Sequence, residues 1–134
     1  MNKKTILSPK EVCEKMSKEI SKIYDSYYRS SDTHCDTWFA FGFKISENGK
    51  FFTYVVKRTY ENYDAGDDCY NKIVIHNLEI EKQKETGMNK YEWMGPRNTP
   101  YLKEDIAIDS IVNISNKGEV TYLTLDEKKR TFSF

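Results

Sequence analysis

His34, Cys35 and Asp36 stand side by side and carry the functional groups of a nucleophilic active site. A cysteine nucleophile needs a base within hydrogen-bond reach and a third group that orients the base. Adjacent residues rarely meet that geometry, and nothing in the sequence places the second histidine, His76, beside Cys35. The chain also lacks GxSxG, HExxH, phosphate-loop and Rossmann patterns. We therefore interpret the triplet as a polar connection and predict a non-catalytic protein.

The same histidines and cysteines are the side chains that zinc prefers. The candidate ligands are Cys13, His34, Cys35, Cys69 and His76. Structural zinc sites are recognised by paired ligands at short spacing, and here only His34 and Cys35 are close. Cys13 and Cys69 are better interpreted as small buried hydrophobic residues. The sequence therefore predicts no metal and no cofactor.

Residues 61–68, ENYDAGDD, form a short acidic stretch. A calcium loop of the EF-hand type needs a glutamate at its twelfth position, and counting from Asn62 that position holds Ile73. The stretch is therefore predicted to be a solvated loop that keeps a sheet edge from pairing. As a functional surface it would steer a basic partner toward the protein. Its candidate partner-binding residues are Asp64, Asp67 and Asp68.

Residues 83–105 have no clear hydrophobic period and contain two prolines and two glycines. We predict a long loop with one short strand around residues 91–94, and loops of this length are often functional. Trp, Tyr and Arg dominate binding hot spots, and Met adapts to irregular surfaces. The candidate partner-binding residues here are Tyr91, Trp93, Met94, Arg97 and Tyr101. The alternative is that these side chains fold back and plug one end of the sheet.

Length and charge exclude several classes of protein. The chain has 134 residues, which predicts one domain over residues 1–134, and its 21 basic and 21 acidic residues give no net charge. A neutral domain is not expected to bind nucleic acid as its main partner. There is no apolar run near the ~18 residues of a membrane helix and no signal-peptide pattern. Three cysteines without a CxxC pair do not indicate disulfides, so we expect a cytoplasmic protein without a membrane partner.

A predicted β-hairpin over residues 37–60 must position these candidates. Asn48-Gly49 is the strongest short signal for a two-residue type I′ turn. With Glu47 opposite Lys50, one face of the hairpin becomes a continuous apolar surface. That face would carry Phe39, Phe41, Phe43, Ile45, Phe52, Tyr54 and Val56, with Arg58 at its end. Gly42 lies in the middle of a strand and predicts a bend, so the sheet should curl.

A helix start precedes the hairpin. Ser8 can cap the helix, Pro9 suits the first turn, and Glu11 completes a capping box. We predict a helix from about residue 9 to about residue 28 that covers the aromatic face of the hairpin. Its apolar stripe would consist of Val12, Met16, Ile20, Ile23, Tyr24 and Tyr27.

Three or four more strands follow, at residues 70–82, 106–114, 120–125 and 131–134. In the first of these, Ile73 and Ile75 should face one side and Val74 the other. The predicted fold class is α+β, with one N-terminal amphipathic helix packed on a curled, mostly antiparallel sheet of five to six strands.

Three functional hypotheses follow. The first is a non-catalytic protein that binds and blocks another macromolecule, with a protein as the expected partner, as immunity proteins, antitoxins and phage anti-defence proteins do. The alternative is a small-molecule-binding domain or hydrolase, in which His34, His76, Arg97 and tyrosine side chains converge on a pocket between sheet and helix, with a histidine as acid or base. A third option is a structural subunit that adds its hairpin edge to another sheet.

Overall fold

The computed structural model of the protein describes residues 6–95 and 100–134. These residues form one helix and ten strands, so the α+β class is confirmed and the predicted number of five to six strands is wrong. The elements in chain order are α1 (Pro9–Asp25), β1 (Arg29–Ser30), β2 (His34–Ile45), β3 (Phe51–Asn62), β4 (Gly66–Asn77), β5 (Lys82–Glu85), β6 (Asn89–Met94), β7 (Pro100–Leu102), β8 (Ile108–Ile114), β9 (Glu119–Thr124) and β10 (Lys129–Ser133).

The strands form two antiparallel sheets. The main sheet has seven strands in the order β1-β2-β3-β4-β6-β7, with β5 also paired to β4. The second sheet has three strands in the order β10-β9-β8. The segment that we predicted to be a long loop holds β5, β6 and β7, and the short strand expected at 91–94 is confirmed as part of β6. The loop prediction failed because β5 and β6 form their backbone hydrogen bonds with β4. The glycines and prolines of the segment itself do not indicate that pairing.

Helix α1 begins as predicted. The Ser8 hydroxyl accepts a hydrogen bond from the Glu11 backbone N–H at 3.2 Å, and the Glu11 carboxylate accepts one from the Ser8 N–H at 3.3 Å. The helix ends at Asp25, earlier than expected, so the Tyr27 end of the predicted stripe lies outside it. Ile23 and Tyr27 are 45% and 44% exposed. In the described part of the chain, no helix combines the length and apolar character needed to cross a bilayer.

The hairpin turn lies where the sequence predicts it but has a different type. Ile45 faces Phe52 as expected, yet within the turn only Gly49 has a positive φ, of 74°. A type I′ turn requires two such residues, so that prediction is wrong. The Asn48 side chain closes a longer turn instead, because its Oδ1 accepts hydrogen bonds from Ser46 Oγ at 2.7 Å and Lys50 N at 3.0 Å.

A β-bulge at Gly42 changes which residues face the helix. The register of β2 against β3 shifts between Phe41 and Lys44, and Gly42 takes a φ of 71°. Phe41 therefore pairs with Val55 instead of Val56, and Phe39 and Phe41 turn to the face away from the helix. Our prediction of one continuous stripe was wrong because the second sheet offers Phe41 another apolar layer.

Each face of the main sheet has its own core. On one face, Phe52, Tyr54, Val56 and Val74 pack against a partly buried set: Cys13, Met16, Ile20, Tyr24, Trp38, Ala40, Phe43, Ile45, Leu78 and Met88. On the other face, the second sheet contributes to a cluster of Val55, Ile73, Ile75, Ile111, Ile114 and Val120. The predicted split of Ile73 and Ile75 from Val74 is confirmed.

The helix is shorter than the strands that it covers. A 17-residue helix is ~25 Å long and a 12-residue strand is ~40 Å long. Pro9 lies beside Gly49 at one end of the sheet, and Tyr24 stacks on Trp38 with ring centroids 6.2 Å apart. The helix therefore stops near Trp38 and does not reach the start of β2, the end of β3 and the start of β4. This helix-free end of the sheet positions the candidate site.

Candidate functional site

A row of five side chains crosses the helix-free end of the main sheet. Asp36 on β2 faces Tyr60 on β3, Tyr60 faces Asp68 on β4, and Asp68 faces Trp93 on β6. Trp93 in turn faces Tyr101 on β7. Directly opposed residues project from the same face of a sheet, so these five form one acidic-aromatic row. At ~4.8 Å between neighbouring strands, the row is ~19 Å long.

The outer part of the acidic-aromatic row is open to solvent. Trp93 is 38% exposed and Tyr101 is 48% exposed. The Trp93 ring lies against the backbone of Gly95, where a Cβ atom would overlap the indole. Because Gly95 has no side chain, the Trp93 ring can pack closely against the backbone at the end of β6. This packing holds Trp93 in one orientation. A rigid, partly exposed aromatic side chain contributes contact area at a low entropic cost.

Arg58 supports the inner part of the row. Its Nε and Nη2 donate hydrogen bonds to the two carboxylate oxygens of Asp36 at 2.9 and 2.8 Å, a bidentate geometry. The guanidinium also lies 4.9 Å from the ring centroid of Trp38, 5.6 Å from Tyr60 and 5.7 Å from Tyr70. The hydrogen bonds to Asp36 raise the pKa of Arg58. Because Arg58 neutralises Asp36, the negative charge that the row offers to a partner comes mainly from Asp68.

Asp68 has only a weak internal partner. Lys90 Nζ lies 3.5 Å from Asp68 Oδ1, and the side chains of Lys90 and Asp68 are 46% and 23% exposed. Exposed ion pairs of this kind contribute about 0–1 kcal/mol, so Lys90 can move away when a competing cation arrives. The Asp68 carboxylate is therefore accessible to a partner.

An acidic hollow of about 310 Å³ lies at the β3–β4 turn, at the same end of the main sheet as the row. Its lining includes the carboxylate residues Glu61, Asp64 and Asp67, together with Met94 and Gly95. Only residues 63–65 form the turn, so our prediction of a loop over residues 61–68 was wrong. Gly66 starts β4 with a φ of 106°, which allows a tight connection. Within the described residues, no group of three or more His, Cys, Asp or Glu side chains is placed to hold a metal ion.

The predicted site residues are divided between the two faces. Asp68, Trp93 and Tyr101 lie in the acidic-aromatic row, whereas Asp64, Asp67 and Met94 line the hollow, and Asp67 and Met94 project from the opposite face of the sheet because strand residues alternate. Tyr91 is only 7% exposed and borders a separate cleft on the opposite face, and burial raises its pKa. Arg97 lies outside the described residues.

Sequence reasoning missed four residues of this surface. They are Asp36, Arg58, Tyr60 and Tyr70. Asp36 was considered only as part of the His34-Cys35-Asp36 triplet, and Arg58 only as the end of an apolar stripe. The available signal was the alternation of charged and aromatic residues toward the far ends of β2 and β3, which indicates a half-open sheet face.

The structure separates the groups that a catalytic site would need. His34 and Asp36 share one face of β2, and Cys35 points to the other because strand residues alternate. His34 pairs with Asn62 and His76 pairs with Phe52, ten residues away along β3, or ~33 Å. His76 Nε2 is hydrogen-bonded to the Tyr54 hydroxyl at 2.8 Å, and burial lowers its pKa. The two histidines therefore do not share a site.

A groove does lie between helix and sheet, as the alternative hypothesis requires. It has a volume of about 550 Å³, and its walls come from Cys13 and Ser17 on α1 and from Phe43, Ile45 and Glu47 on the β2 side. Neither histidine lines it. The groove therefore lacks the acid–base group on which the hydrolase hypothesis depended.

No family model matches this chain, and the searches found no similar curated protein and no similar solved structure. The molecule can be described as an α+β protein with a two-layered β core and one open, acidic-aromatic sheet face. Its function has to be argued from that geometry.

Proposed function

We propose that this protein is a non-catalytic binding protein, of the immunity, antitoxin or anti-defence kind, that acts in the cytoplasm. It docks its acidic-aromatic row on a basic surface of another protein and thereby blocks that surface. The observation that carries the proposal is the alignment of Asp68, Trp93 and Tyr101 on three adjacent strands at the helix-free end of the sheet.

The aromatic part of the row provides the anchors. Trp and Tyr are enriched in binding hot spots, where truncation of one side chain costs 2 kcal/mol or more. A lysine or arginine of the partner that lies over the Trp93 or Tyr101 ring would gain about 0.5–2 kcal/mol from the cation–π interaction. Both residues lie on strands, so the free protein already holds them near the orientation that they keep in a complex.

The acidic part of the row provides attraction at a distance. Asp68 is accessible, and Asp64 and Asp67, which line the hollow at the same end of the sheet, add to the negative charge there. Clustered charge of one sign raises the association rate with an oppositely charged partner, and salt screens this effect. A basic protein surface fits this pattern, whereas a nucleic acid backbone would be repelled.

The primary test is capture of the partner. Immobilised protein is incubated with lysate of the source cell at low salt, and bound proteins are identified and quantified by mass spectrometry. We expect one stoichiometric protein whose binding weakens as the salt concentration rises. The purified partner then permits an affinity measurement with the wild type and with the double variant Trp93→Ala/Tyr101→Ala.

The double variant should lower the affinity by at least about 100-fold, because two hot-spot anchors are lost. Its melting temperature should change little, since both side chains are more than a third exposed. Ile80→Ala is the matched control, because Ile80 is 52% exposed and lies outside the row. If the double variant and the control bind the partner equally well, the row is not the interface.

A further inference from the structure

A second cavity lies on the opposite face of the main sheet, between the two sheets. Its volume is about 420 Å³, which is within the range of small-molecule sites. Several segments meet around it, namely β2, β3, β4, β6, β7, the start of β8 with the connection before it, and the turn after β9. We call it the inter-sheet cleft.

The rim of the inter-sheet cleft is apolar and open. Phe39 on β2, Leu102 on β7 and Leu125 in the β9–β10 turn are 38%, 45% and 41% exposed, and all three line the cleft. The Leu125 backbone N–H donates a hydrogen bond to the Ala107 carbonyl at 2.9 Å, which fixes the turn beside the opening. Three exposed large hydrophobic residues around one opening indicate a surface that an apolar group can cover.

The wall on the β4 side is held by Asn71. Its Oδ1 accepts a hydrogen bond from the Ile108 N–H at 2.7 Å, and its Nδ2 donates one to the Ile106 carbonyl at 3.3 Å. Asn71 is 3% exposed. Its polar atoms are therefore already used to attach the connection before β8 to the main sheet, and the cleft is formed before any ligand arrives.

Lys57 provides a positive charge at the floor. It lies on the central strand β3 between Phe39 on β2 and Asn71 on β4, one row beyond the fully buried Val55. Its Nζ is 5.8 Å from the Phe39 ring centroid and 6.0 Å from that of Tyr91. None of the salt bridges within residues 6–95 and 100–134 includes Lys57.

Tyr91 is the second polar group at the floor. It is 7% exposed, and both Tyr91 and Lys57 line the cleft, with Lys57 Nζ 6.0 Å from the Tyr91 ring centroid. A phenol can donate a hydrogen bond through its hydroxyl group. An ammonium and a hydroxyl donor at the closed end of an apolar cavity together form a binding site for an anionic oxygen.

We infer that the inter-sheet cleft binds a small monocarboxylate with an apolar body. The carboxylate would contact Lys57 Nζ and the Tyr91 hydroxyl, and the body would cover Phe39, Leu102 and Leu125. Two acidic residues, Glu92 and Asp109, also line the cleft and disfavour a second negative charge. A monocarboxylate therefore fits better than a phosphate. This site is independent of the acidic-aromatic row, which lies on the other face.

The test compares matched probes on the purified wild-type protein by NMR titration. The probes are 4-phenylbutyrate, its neutral analogue 4-phenylbutanamide, and inorganic phosphate. We expect saturable shifts of Lys57, Tyr91 and Leu102 resonances with 4-phenylbutyrate, binding at least about tenfold weaker for the amide, and no binding of phosphate. Equal binding of acid and amide, or no saturable shift at roughly 10 mM acid, would overturn the inference.

Variants test whether Lys57 provides the positive charge that binds the carboxylate. Lys57→Met keeps the length and apolar stem of the side chain, and it should remove the preference for acid over amide without abolishing amide binding. Lys44→Met is the matched control, because Lys44 is exposed on β2 and does not line the cleft. An unchanged preference in Lys57→Met would also overturn the inference. If Lys57→Met does not fold, the comparison of acid with amide on the wild-type protein still tests the inference.

Discussion

The two ends of strands β2, β3 and β4 have opposite surroundings. Near the Asn48-Gly49 turn, β3 is buried on both faces, by α1 on one side and by the second sheet on the other. At the far end the same strand carries Arg58 and Tyr60, which are half-exposed and contact charged or aromatic neighbours. One strand therefore serves as core along part of its length and as candidate site along the rest.

The boundary between these ends is set by the covering elements and not by the strands. Helix α1 stops near Trp38, and the second sheet packs mainly on the rows around Val55 and Ile73. Beyond those rows, oppositely charged side chains form ion pairs with each other, and the aromatic rings beside them remain partly exposed. The buried half therefore holds the open half in place, so substitutions in the two halves should have different effects on stability.

The largest expected effect is on the buried half. Phe52→Ala removes a side chain that is 0% exposed, and we expect a loss of about 3–5 kcal/mol in the free energy of unfolding. Trp93→Ala in the open half should cost less than about 1 kcal/mol, as is usual for a surface side chain. Urea denaturation monitored by circular dichroism measures both. Similar losses for the two variants would contradict the division into a stable and an open half.

The next effect concerns the bulge that separates the two face patterns of β2. Gly42→Val places a β-branched residue at a φ of 71°, and we expect a cost of about 2–3 kcal/mol. Gly87 has a φ of 67° with open space around it, in the short connection between β5 and β6. Gly87→Val should cost only about 1 kcal/mol, because that connection can relax. Equal costs at the two glycines would show that the bulge bears no special constraint.

A smaller effect is expected from the Arg58–Asp36 pair. Arg58→Ala leaves the Asp36 carboxylate without its partner while its side chain is only 16% exposed, which should cost about 1–3 kcal/mol. The matched control is Lys50→Ala, because Lys50 and Glu79 form an ion pair whose side chains are 54% and 61% exposed. That variant should change stability by less than about 0.5 kcal/mol. Thermal and urea unfolding of both variants measure the loss of stability in each. The prediction is refuted by a result in which Lys50→Ala costs as much stability as Arg58→Ala.

The smallest effect is a pH dependence that originates under the helix. Burial lowers the pKa of His76 in the folded protein, so at mildly acidic pH the unfolded chain binds more protons than the folded one. The contribution of His76 to stability is therefore complete above the unfolded pKa of about 6.5 and is lost as the pH falls toward the lowered folded value. Urea midpoints at several pH values should rise between acidic and neutral pH in the wild type and rise less in His76→Gln. Parallel curves would show that His76 does not contribute.

Several features were predictable because their causes are local. The capping box at Ser8 and Glu11 and the hairpin turn at Asn48-Gly49 depend on residues within a few positions of each other. The separation of Ile73 from Val74 follows from the two-residue period of a strand. The turn type was missed, because the Asn48 side chain also donates a hydrogen bond to the backbone carbonyl of Asn116, which is remote in sequence.

The candidate site was predictable only as separate pieces. Sequence reasoning identified Asp68 and Trp93 as members of two different loops, and the structure places them opposite each other on β4 and β6. Lys57 was not singled out, because in a hairpin viewed alone it belongs to a half-exposed face. The second sheet turns that face into the wall of a cleft.

Short-range hydrogen bonds and the two-residue period of strands fix the hairpin turn, the helix start and the alternation of side chains along each strand, so these features follow from sequence alone. Only the folded chain shows which strand lies beside which, how far the helix covers the sheet, and that the bulge at Gly42 turns Phe41 to a second core and Phe39 to the rim of the inter-sheet cleft. These choices depend on the burial of surfaces from distant segments, and that free energy exists only when the whole chain has assembled.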